Sequence, residues 1–249
     1  RGSEEVTSPI RRPTIGTLTI AALLAGCATT ENPDPLEPVN RKVFAFNETV
    51  DEYVIKPPAT VYRDVVPSVV RTGVDNFFGN LRDVYSAVNL VLQGRVGDGV
   101  TSLMRFSTNT TIGLAGLLDW ATELGLEKHD EDFGQTLGVW GFGPGAYIVW
   151  PILGPSSVRD AVGLPLEVAA SPEQWAGSGA VRTGGAALRV VSQRARLLGA
   201  TDLLDDVALD KYSFVRDAYL QRRLSLVYDG NPPQQDAERY DLPEPAPAR

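Results

Sequence analysis

The sequence predicts an all-α protein, because most of its apolar residues recur at helical spacing. In the first such stretch, which begins near Leu36, one stripe is formed by Val39, Val43, Phe46, Val50 and Tyr53. Further helices are predicted from about Pro67, over about 178–199 and over about 212–229. The exception is 133–155, where Gly, Trp and Pro predict a hairpin or an irregular loop and not a helix.

Two features shape the first helices. The run Lys56-Pro57-Pro58 is expected to stop the first helix, since proline lacks the N–H that a helix interior needs. The helix that begins near Pro67 is expected to place its apolar residues on one side, namely Val70, Val74, Phe77 and Phe78.

Two later segments are unusually apolar. Residues 84–94 hold Asn89 in their middle, and residues 100–125 hold a polar band at 107–111. Neither reaches the roughly 20 uncharged apolar residues of a spanning helix. A membrane-inserted segment here would therefore lie along the bilayer, and a buried pair of core helices accounts for the same pattern equally well.

The N-terminal region has the organisation of a secretory signal. Arg11 and Arg12 precede a short apolar run that ends in Leu24-Ala25-Gly26-Cys27, and Cys27 is the only cysteine of the 249 residues. This ending resembles the lipobox of bacterial lipoproteins, in which the cysteine is acylated. We therefore expect a signal peptide at 1–26, an acyl anchor on Cys27 and a tether at 27–35. The alternative is a buried free thiol in a short core helix.

The charge balance excludes two classes of partner. The whole chain has 23 Lys and Arg against 31 Asp and Glu, and residues 1–26 contain three of the former and two of the latter. From residue 27 onward the formal charge is therefore −9, without any basic run. Such a chain is not expected to bind nucleic acid or to dock on anionic lipid through a polybasic patch. A single cysteine also excludes a disulfide framework.

No set of catalytic or metal-ligating residues is apparent. His129 is the only histidine, and the stretch from Gly154 to Val158 lacks the second glycine of a nucleophile elbow. The acidic cluster 129–132 lacks the spacing of a calcium loop, and zinc would need further His or Cys ligands. We expect no enzymatic activity, no metal and no cofactor other than acyl chains on Cys27.

Several stretches together resemble the MlaA/VacJ lipoproteins, a family that maintains outer-membrane lipid asymmetry. They are DPLEPVNRKVFAFN (34–47), VVPSVVRTGVDNFFGNLRD (65–83), VNLVLQG (88–94), RFSTNTTIGLAGLLD (105–119), HDEDFGQTLGVWGFGPGAYIVWPILGPSSVRDAVG (129–163) and FVRDAYLQRR (214–223). With the lipobox, they follow the family's order across residues 24–223. Val84 and Ala146 stand where many members have proline, which affects only local turns.

The resemblance implies a ring-like body of helices lying largely in the plane of the outer membrane. That body would be a single domain at 36–230, followed by a disordered Pro-rich tail at 231–249. Phospholipids misplaced in the outer leaflet would pass through an amphipathic channel to a soluble periplasmic carrier, which feeds an inner-membrane ABC transporter. The family also associates with trimeric porins. Ala28, where an Asp often marks inner-membrane retention, favours the periplasmic side of the outer membrane.

A polar channel through a bilayer needs polar side chains to replace water around a lipid headgroup. The candidates for that lining are Asn76, Asn89, Arg105 and Asn109. Asn76 is equally suited to cap a neighbouring helix, and Arg105 to pair with Asp119 or another carboxylate.

The segment 133–155 is the candidate for a wall or gate beside the channel. Trp140 and Trp150 within it are candidates for interfacial residues, with ordinary aromatic packing as the alternative. Two other functions remain open: a scaffold for porins that moves no lipid, and a lipid hydrolase, which the lone His129 disfavours.

Overall fold

A computed structural model describes residues 32–170 and 178–233 of the chain. The predicted signal peptide, Cys27 and most of the predicted Pro-rich tail lie outside these residues. The described chain is mostly helical, with one short antiparallel hairpin. The predicted all-α class with a hairpin-like glycine-rich segment is therefore confirmed.

The elements follow one another with short connections. In chain order they are α1 (Glu37–Val50), a π-helical turn (Asp51–Ile55), α2 (Lys56–Val65), α3 (Ser68–Leu92), α4 (Val96–Thr111), α5 (Trp120–Glu123), α6 (Phe133–Val139), β1 (Tyr147–Trp150), β2 (Gly154–Ser157), α7 (Val158–Ala170), α8 (Gly179–Val207) and α9 (Lys211–Val227).

The prolines that were expected to stop the first helix do not stop it. The chain passes from α1 through the π-helical turn into α2, and the N–H of Lys56 donates to the carbonyl of Asp51. Pro57 and Pro58 fall in the first turn of α2, where a missing N–H costs little. Arg194 of α8 binds both carboxylate oxygens of Asp51 at 2.7 Å, which fixes the turn from outside.

The glycine-rich segment is more regular than predicted. Its first seven residues form α6, because the Asp132 side chain caps the helix by accepting from the N–H of Gln135 at 2.9 Å. The predicted hairpin is confirmed further on, with Tyr147 opposite Ser157 and Trp150 opposite Gly154. α7, which follows β2 directly, was not predicted from the sequence.

Contacts between the elements run in a closed circuit. α1 contacts β1, the hairpin contacts α9, α9 contacts α6, α6 contacts α3, α3 contacts α8, and α8 contacts α2 and the π-helical turn, which leads back to α1. The first and last helices also meet directly, since the rings of Phe44 and Tyr212 lie edge to face at 5.6 Å. This circuit accords with the ring-like arrangement that was expected.

The apolar core is divided between two places on this circuit. One cluster joins the hairpin to α9 through Tyr147, Val149, Tyr212 and Leu220. The other joins α2 to α8 through Ala59, Ala195 and Leu198.

Burial in this fold is reversed relative to an ordinary water-soluble domain. Among the described residues, fifteen polar or charged side chains are buried against eleven apolar ones, while forty large apolar side chains are exposed. The exposed set includes Val88 and Val91 of α3 and Leu103 and Met104 of α4. Apolar exposure on this scale marks a surface that contacts a membrane or another protein. Within the described ranges, no helix has an apolar run long enough to cross a bilayer.

Candidate functional site

The main cavity has a volume of about 320 Å³ and lies between α3 on one side and α7 and α8 on the other. α3 lines it over almost three turns, from Asp75 to Tyr85. The loop that precedes α6 adds Lys128 and Asp130, and the end of α4 adds Asn109. The cavity is therefore bounded by helices that the contact circuit brings together.

Charged side chains of both signs line this cavity in equal number. The cationic residues are Arg82, Lys128, Arg189 and Arg196, and the anionic residues are Asp75, Asp119, Asp130 and Glu167. Two pairs span the helices: Arg82 lies 3.6 Å from Glu167, and Arg196 lies 3.7 Å from Asp75. These N–O distances exceed those of hydrogen bonds.

The two arginines of these pairs remain open to solvent. The side chain of Arg82 is 47% exposed and that of Arg196 is 58% exposed. Exposed, loosely held ion pairs contribute little to stability. Both guanidinium groups can therefore exchange their protein partners for a ligand at little cost.

Arg105 lies behind the cavity wall, in a buried ionic network. Its side chain is only 1% exposed and binds both carboxylate oxygens of Asp119, at 2.9 and 3.0 Å. It also donates to the Leu126 carbonyl at 2.5 Å, and its Nε lies 3.4 Å from Asp83. Lys128 approaches the same Asp83 from the cavity side, also at 3.4 Å. The pairing of Arg105 with carboxylates, held open above, is present.

The pKa values of the two carboxyl groups in this network are shifted in opposite directions. Burial raises the pKa of Asp83 above its ordinary value, although Lys128 and Arg105 both act to lower it. Burial also acts to raise the pKa of Asp119, but hydrogen bonds from Thr122 and Asn109 outweigh it and bring the pKa down to about 2. Asp119 is therefore a fixed anion in this wall.

The structure separates the three candidate asparagines. Asn76 and Asn109 line the cavity. Asn76 donates to the Leu117 carbonyl at 3.1 Å, and Asn109 donates to Asp119 at 2.9 Å, so both also hold the loop between α4 and α5. Asn89 lies elsewhere: it is buried between α3 and α6, donating to the Tyr85 carbonyl and accepting from Thr136.

Both candidate tryptophans are partly exposed. Trp140 is 50% exposed, packs edge to face on Phe133 at 6.2 Å, and donates through its indole N–H to the Leu92 carbonyl at 3.0 Å. Trp150 is 38% exposed at the end of β1, and its carbonyl accepts from Asn47 at 2.9 Å. Both expose part of the indole ring while their local backbone is fixed by hydrogen bonds.

Most charged residues of the cavity were not predicted from the sequence. Their spacing would have indicated a shared helix face, because Asp75 and Arg82 are seven residues apart on α3, and Arg189 and Arg196 are seven residues apart on α8. Residues at that interval share a helix face. In the described ranges no group of three or more His, Cys, Asp or Glu residues is placed to hold a metal ion.

Comparison with known proteins identifies the family. The sequence profile described as MlaA lipoprotein matches residues 32–225, which is most of the chain. This chain belongs to the MlaA lipoprotein family. The resemblance drawn from the sequence is confirmed.

Similar proteins cover most of the same residues. The chain is 36% identical over 209 residues to the intermembrane phospholipid transport system lipoprotein MlaA of Shigella flexneri, covering 80% of this chain and 82% of that one. The MlaA lipoprotein of Escherichia coli K12 gives the same identity and coverage. A solved structure, from work on the structural basis for maintenance of bacterial outer membrane lipid asymmetry, matches with a TM-score of 0.68 at 34% identity. That match covers 80% of this chain and 99% of the solved one.

Proposed function

We propose that this MlaA-family chain removes mislocalised phospholipids from the outer leaflet of the outer membrane and passes them on toward the periplasm. One observation carries the proposal: the described residues combine forty exposed large apolar side chains with a water-accessible cavity that is lined by charged residues. The names of the relatives, which belong to an intermembrane phospholipid transport system, support it.

The exterior suits helices that lie within the bilayer. Apolar side chains on α3 and α4 face outward along both helices, from Val84 to Leu92 and from Val96 to Met104. Hydrocarbon is a suitable solvent for such faces, and water is not. Trp140 and Trp150 belong at the border of this surface, where indole rings favour the membrane interface.

The cavity suits a lipid headgroup. Moving a phosphate and its attached amine or hydroxyls through hydrocarbon is costly unless polar groups replace the lost water. Arg82 and Arg196 are placed to bind phosphate oxygens, and Glu167 and Asp130 to bind an ammonium group. Asn76 and Asn109 add neutral partners in the wall, and Arg105 holds that wall from behind.

The remaining assignments are part of the same proposal. Acyl chains on Cys27 would anchor the chain to the outer membrane from the periplasmic side. A headgroup that leaves the cavity would be received by a soluble carrier, which delivers the lipid to an inner-membrane ABC transporter. A trimeric porin would contact part of the exposed apolar surface.

The test measures phospholipid exposed at the surface of cells that lack this protein and of cells that carry it again. Surface phospholipid should rise in the deletion and return to its original level with the intact chain. It should stay high with Cys27→Ser, which removes the anchor, and with Arg82→Glu, which reverses a charge in the cavity. Arg222→Glu makes the same charge change at an exposed position on α9 and serves as the control.

Two outcomes would change the proposal. If deletion leaves surface phospholipid unchanged, retrieval is refuted. If deletion raises surface phospholipid but several cavity variants restore the original level fully, the function depends on the exposed apolar surface and not on the cavity. A porin scaffold that moves no lipid would then replace transport, since such a scaffold needs only the exposed apolar surface.

A further inference from the structure

A second cavity adjoins the first toward the N-terminal end of α3, along the same face of that helix. It has a volume of about 200 Å³ and lies between α2, the beginning of α3 and α8. Asp75, Ser192 and Arg196 line both cavities and so form the partition between them. The partition is closed by the hydroxyl of Ser192, which donates to Asp75.

Two residues that line this second cavity, Arg71 and Tyr62, each hold a buried hydrogen-bonding atom without a partner among the described residues. Within the described part of the chain, neither the Nε of Arg71 nor the hydroxyl of Tyr62 has a hydrogen-bond partner, and both atoms are buried. Leaving a buried donor unsatisfied is costly, and buried polar groups of folded proteins usually have partners. The arginine N–H can only donate, and a phenol hydroxyl readily does so.

The nearby carboxylates do not accept hydrogen bonds from Arg71 Nε or from the Tyr62 hydroxyl. Asp75 is already engaged by Ser192 and lies 3.7 Å from Arg196. Asp64, at the end of α2, accepts a hydrogen bond from Arg63 at 2.7 Å. That hydrogen bond and the charges of Arg63 and Arg71 lower the pKa of Asp64, but Asp64 does not line the cavity. The cavity therefore holds two guanidinium groups, those of Arg71 and Arg196, against a single carboxylate. Its excess is in positive charge and in hydrogen-bond donors.

We infer that the second cavity is a phosphate-binding subsite, in which Arg71, Arg196 and the Tyr62 hydroxyl bind the oxygens of a phosphate or phosphodiester group. A phosphodiester offers only acceptors and a negative charge, free phosphate offers chiefly these, and guanidinium groups bind both in a fixed geometry. A phosphodiester from a lipid headgroup and free phosphate have this chemistry in common. Where the ligand is a lipid headgroup, the inference rests on the proposed function. It then adds a second headgroup-binding position beyond the Asp75–Ser192 partition.

The experiment measures binding to the purified full chain in a nonionic detergent by titration calorimetry. The probes are dihexanoylphosphatidylethanolamine, kept below its micelle concentration, and inorganic phosphate. The variants are Arg71→Gln, which removes the buried guanidinium, and Tyr62→Phe, which removes only a hydroxyl. Arg63→Gln is the matched control, because it loses an arginine on the neighbouring helix that lies outside both cavities.

The variants should separate clearly. Arg71→Gln should weaken binding of the short-chain lipid by about tenfold or more, and Tyr62→Phe by about threefold to tenfold, while Arg63→Gln leaves it unchanged. If only inorganic phosphate shows this dependence, the subsite binds free phosphate. If wild type binds neither probe, or if Arg71→Gln and Tyr62→Phe behave as the control does with both, the inference is overturned. If Arg71→Gln loses its helical circular dichroism signal, lipid binding by Tyr62→Phe alone tests the subsite.

Failure of the subsite can be told apart from failure of the proposed function. Cells carrying Arg71→Gln or Arg63→Gln are compared in the surface-phospholipid assay. Suppose that deletion raises surface phospholipid, that Arg71→Gln returns it to the original level, and that this variant binds the short-chain lipid normally. Retrieval is then supported and the subsite is refuted. If deletion has no effect while binding of inorganic phosphate still depends on Arg71, the subsite stands and retrieval falls.

Discussion

Removing the guanidinium of Arg105 should destabilise the fold more than removing any exposed arginine. Arg105 and Asp83 are each 1% exposed and lie 3.4 Å apart. Without Arg105, the buried carboxylate of Asp83 has only Lys128 at 3.4 Å, and Lys128 is itself partly in solvent. Losing one partner of a buried ion pair costs about 3–5 kcal/mol. Asp119 adds less, because water reaches it.

The predicted change is large enough to measure directly. For a chain of this size each kcal/mol lowers Tm by about 2–4 °C, so Arg105→Gln should lower it by about 6–20 °C. Thermal unfolding of the purified protein in detergent, followed by circular dichroism, gives this value. Arg63→Gln removes an arginine whose ion pair with Asp64 is exposed, and should change Tm by no more than a few degrees.

A second variant tests the reason and not only the size of the effect. Asp83→Asn in the Arg105→Gln background removes the stranded charge, so the double variant should be about 1–3 kcal/mol more stable than Arg105→Gln alone. A loss below about 1 kcal/mol for Arg105→Gln would refute the reasoning. So would strict additivity of the two substitutions.

Three further predictions concern other parts of the chain. Gly116 has a φ of 91°, and an added Cβ would lie 2.6 Å from a side-chain nitrogen, so Gly116→Ala should lower the unfolding free energy by about 1–3 kcal/mol. Gly97→Ala, in an open helical position, should raise it by about 0.5–1 kcal/mol, and urea titration compares the two. Burial acts to raise the pKa of Asp132, but hydrogen bonds from an arginine lower it to about 2, below the unfolded value. Its stabilising contribution is therefore complete above about pH 4 and is lost as the pH falls toward about 2, and Asp132→Asn should flatten that decline in acid titrations. Trp140 and Trp150 should each be quenched by brominated lipid in single-tryptophan variants, and the absence of quenching in both would contradict an interfacial position.

Helical periodicity located most of the helices because it records which face of each helix avoids water. It did not separate a lipid-facing face from a core-facing one, since both are apolar. In 84–94 and 100–125, membrane insertion and a buried helix pair were therefore equally compatible with the sequence. The structure exposes Val88, Val91 and Met104, which favours the membrane alternative.

The errors at helix boundaries have local causes. A proline-rich run stops a helix when it falls in the interior, but Pro57 and Pro58 fall in a first turn, and the π-helical turn that places them there leaves no composition signal. α7 was missed because Pro165 lies within it. Its position is set by packing against α6 and the hairpin, which a local pattern does not contain.

The site was predictable only in part. The need for polar groups in a channel singled out Asn76 and Asn109; both lie at the main cavity, and their role in a channel stays a prediction. The pairing of Arg105 with Asp119 across fourteen residues was one of several open possibilities. Arg71 and Tyr62 could not be recognised at all, because an unsatisfied donor is a property of three-dimensional packing and not of spacing.

The closed circuit has a consequence for how the chain is made. α1 ends at Val50, and its partner α9 begins at Lys211, so the ribosome must add about 160 residues between the two. At about 5–20 residues per second, α1 waits about 10–30 s for the helix that closes the circuit. Contacts of such long range also form slowly once both partners exist. The circuit of contacts therefore stays open through most of synthesis, and it is completed only when the last helix docks.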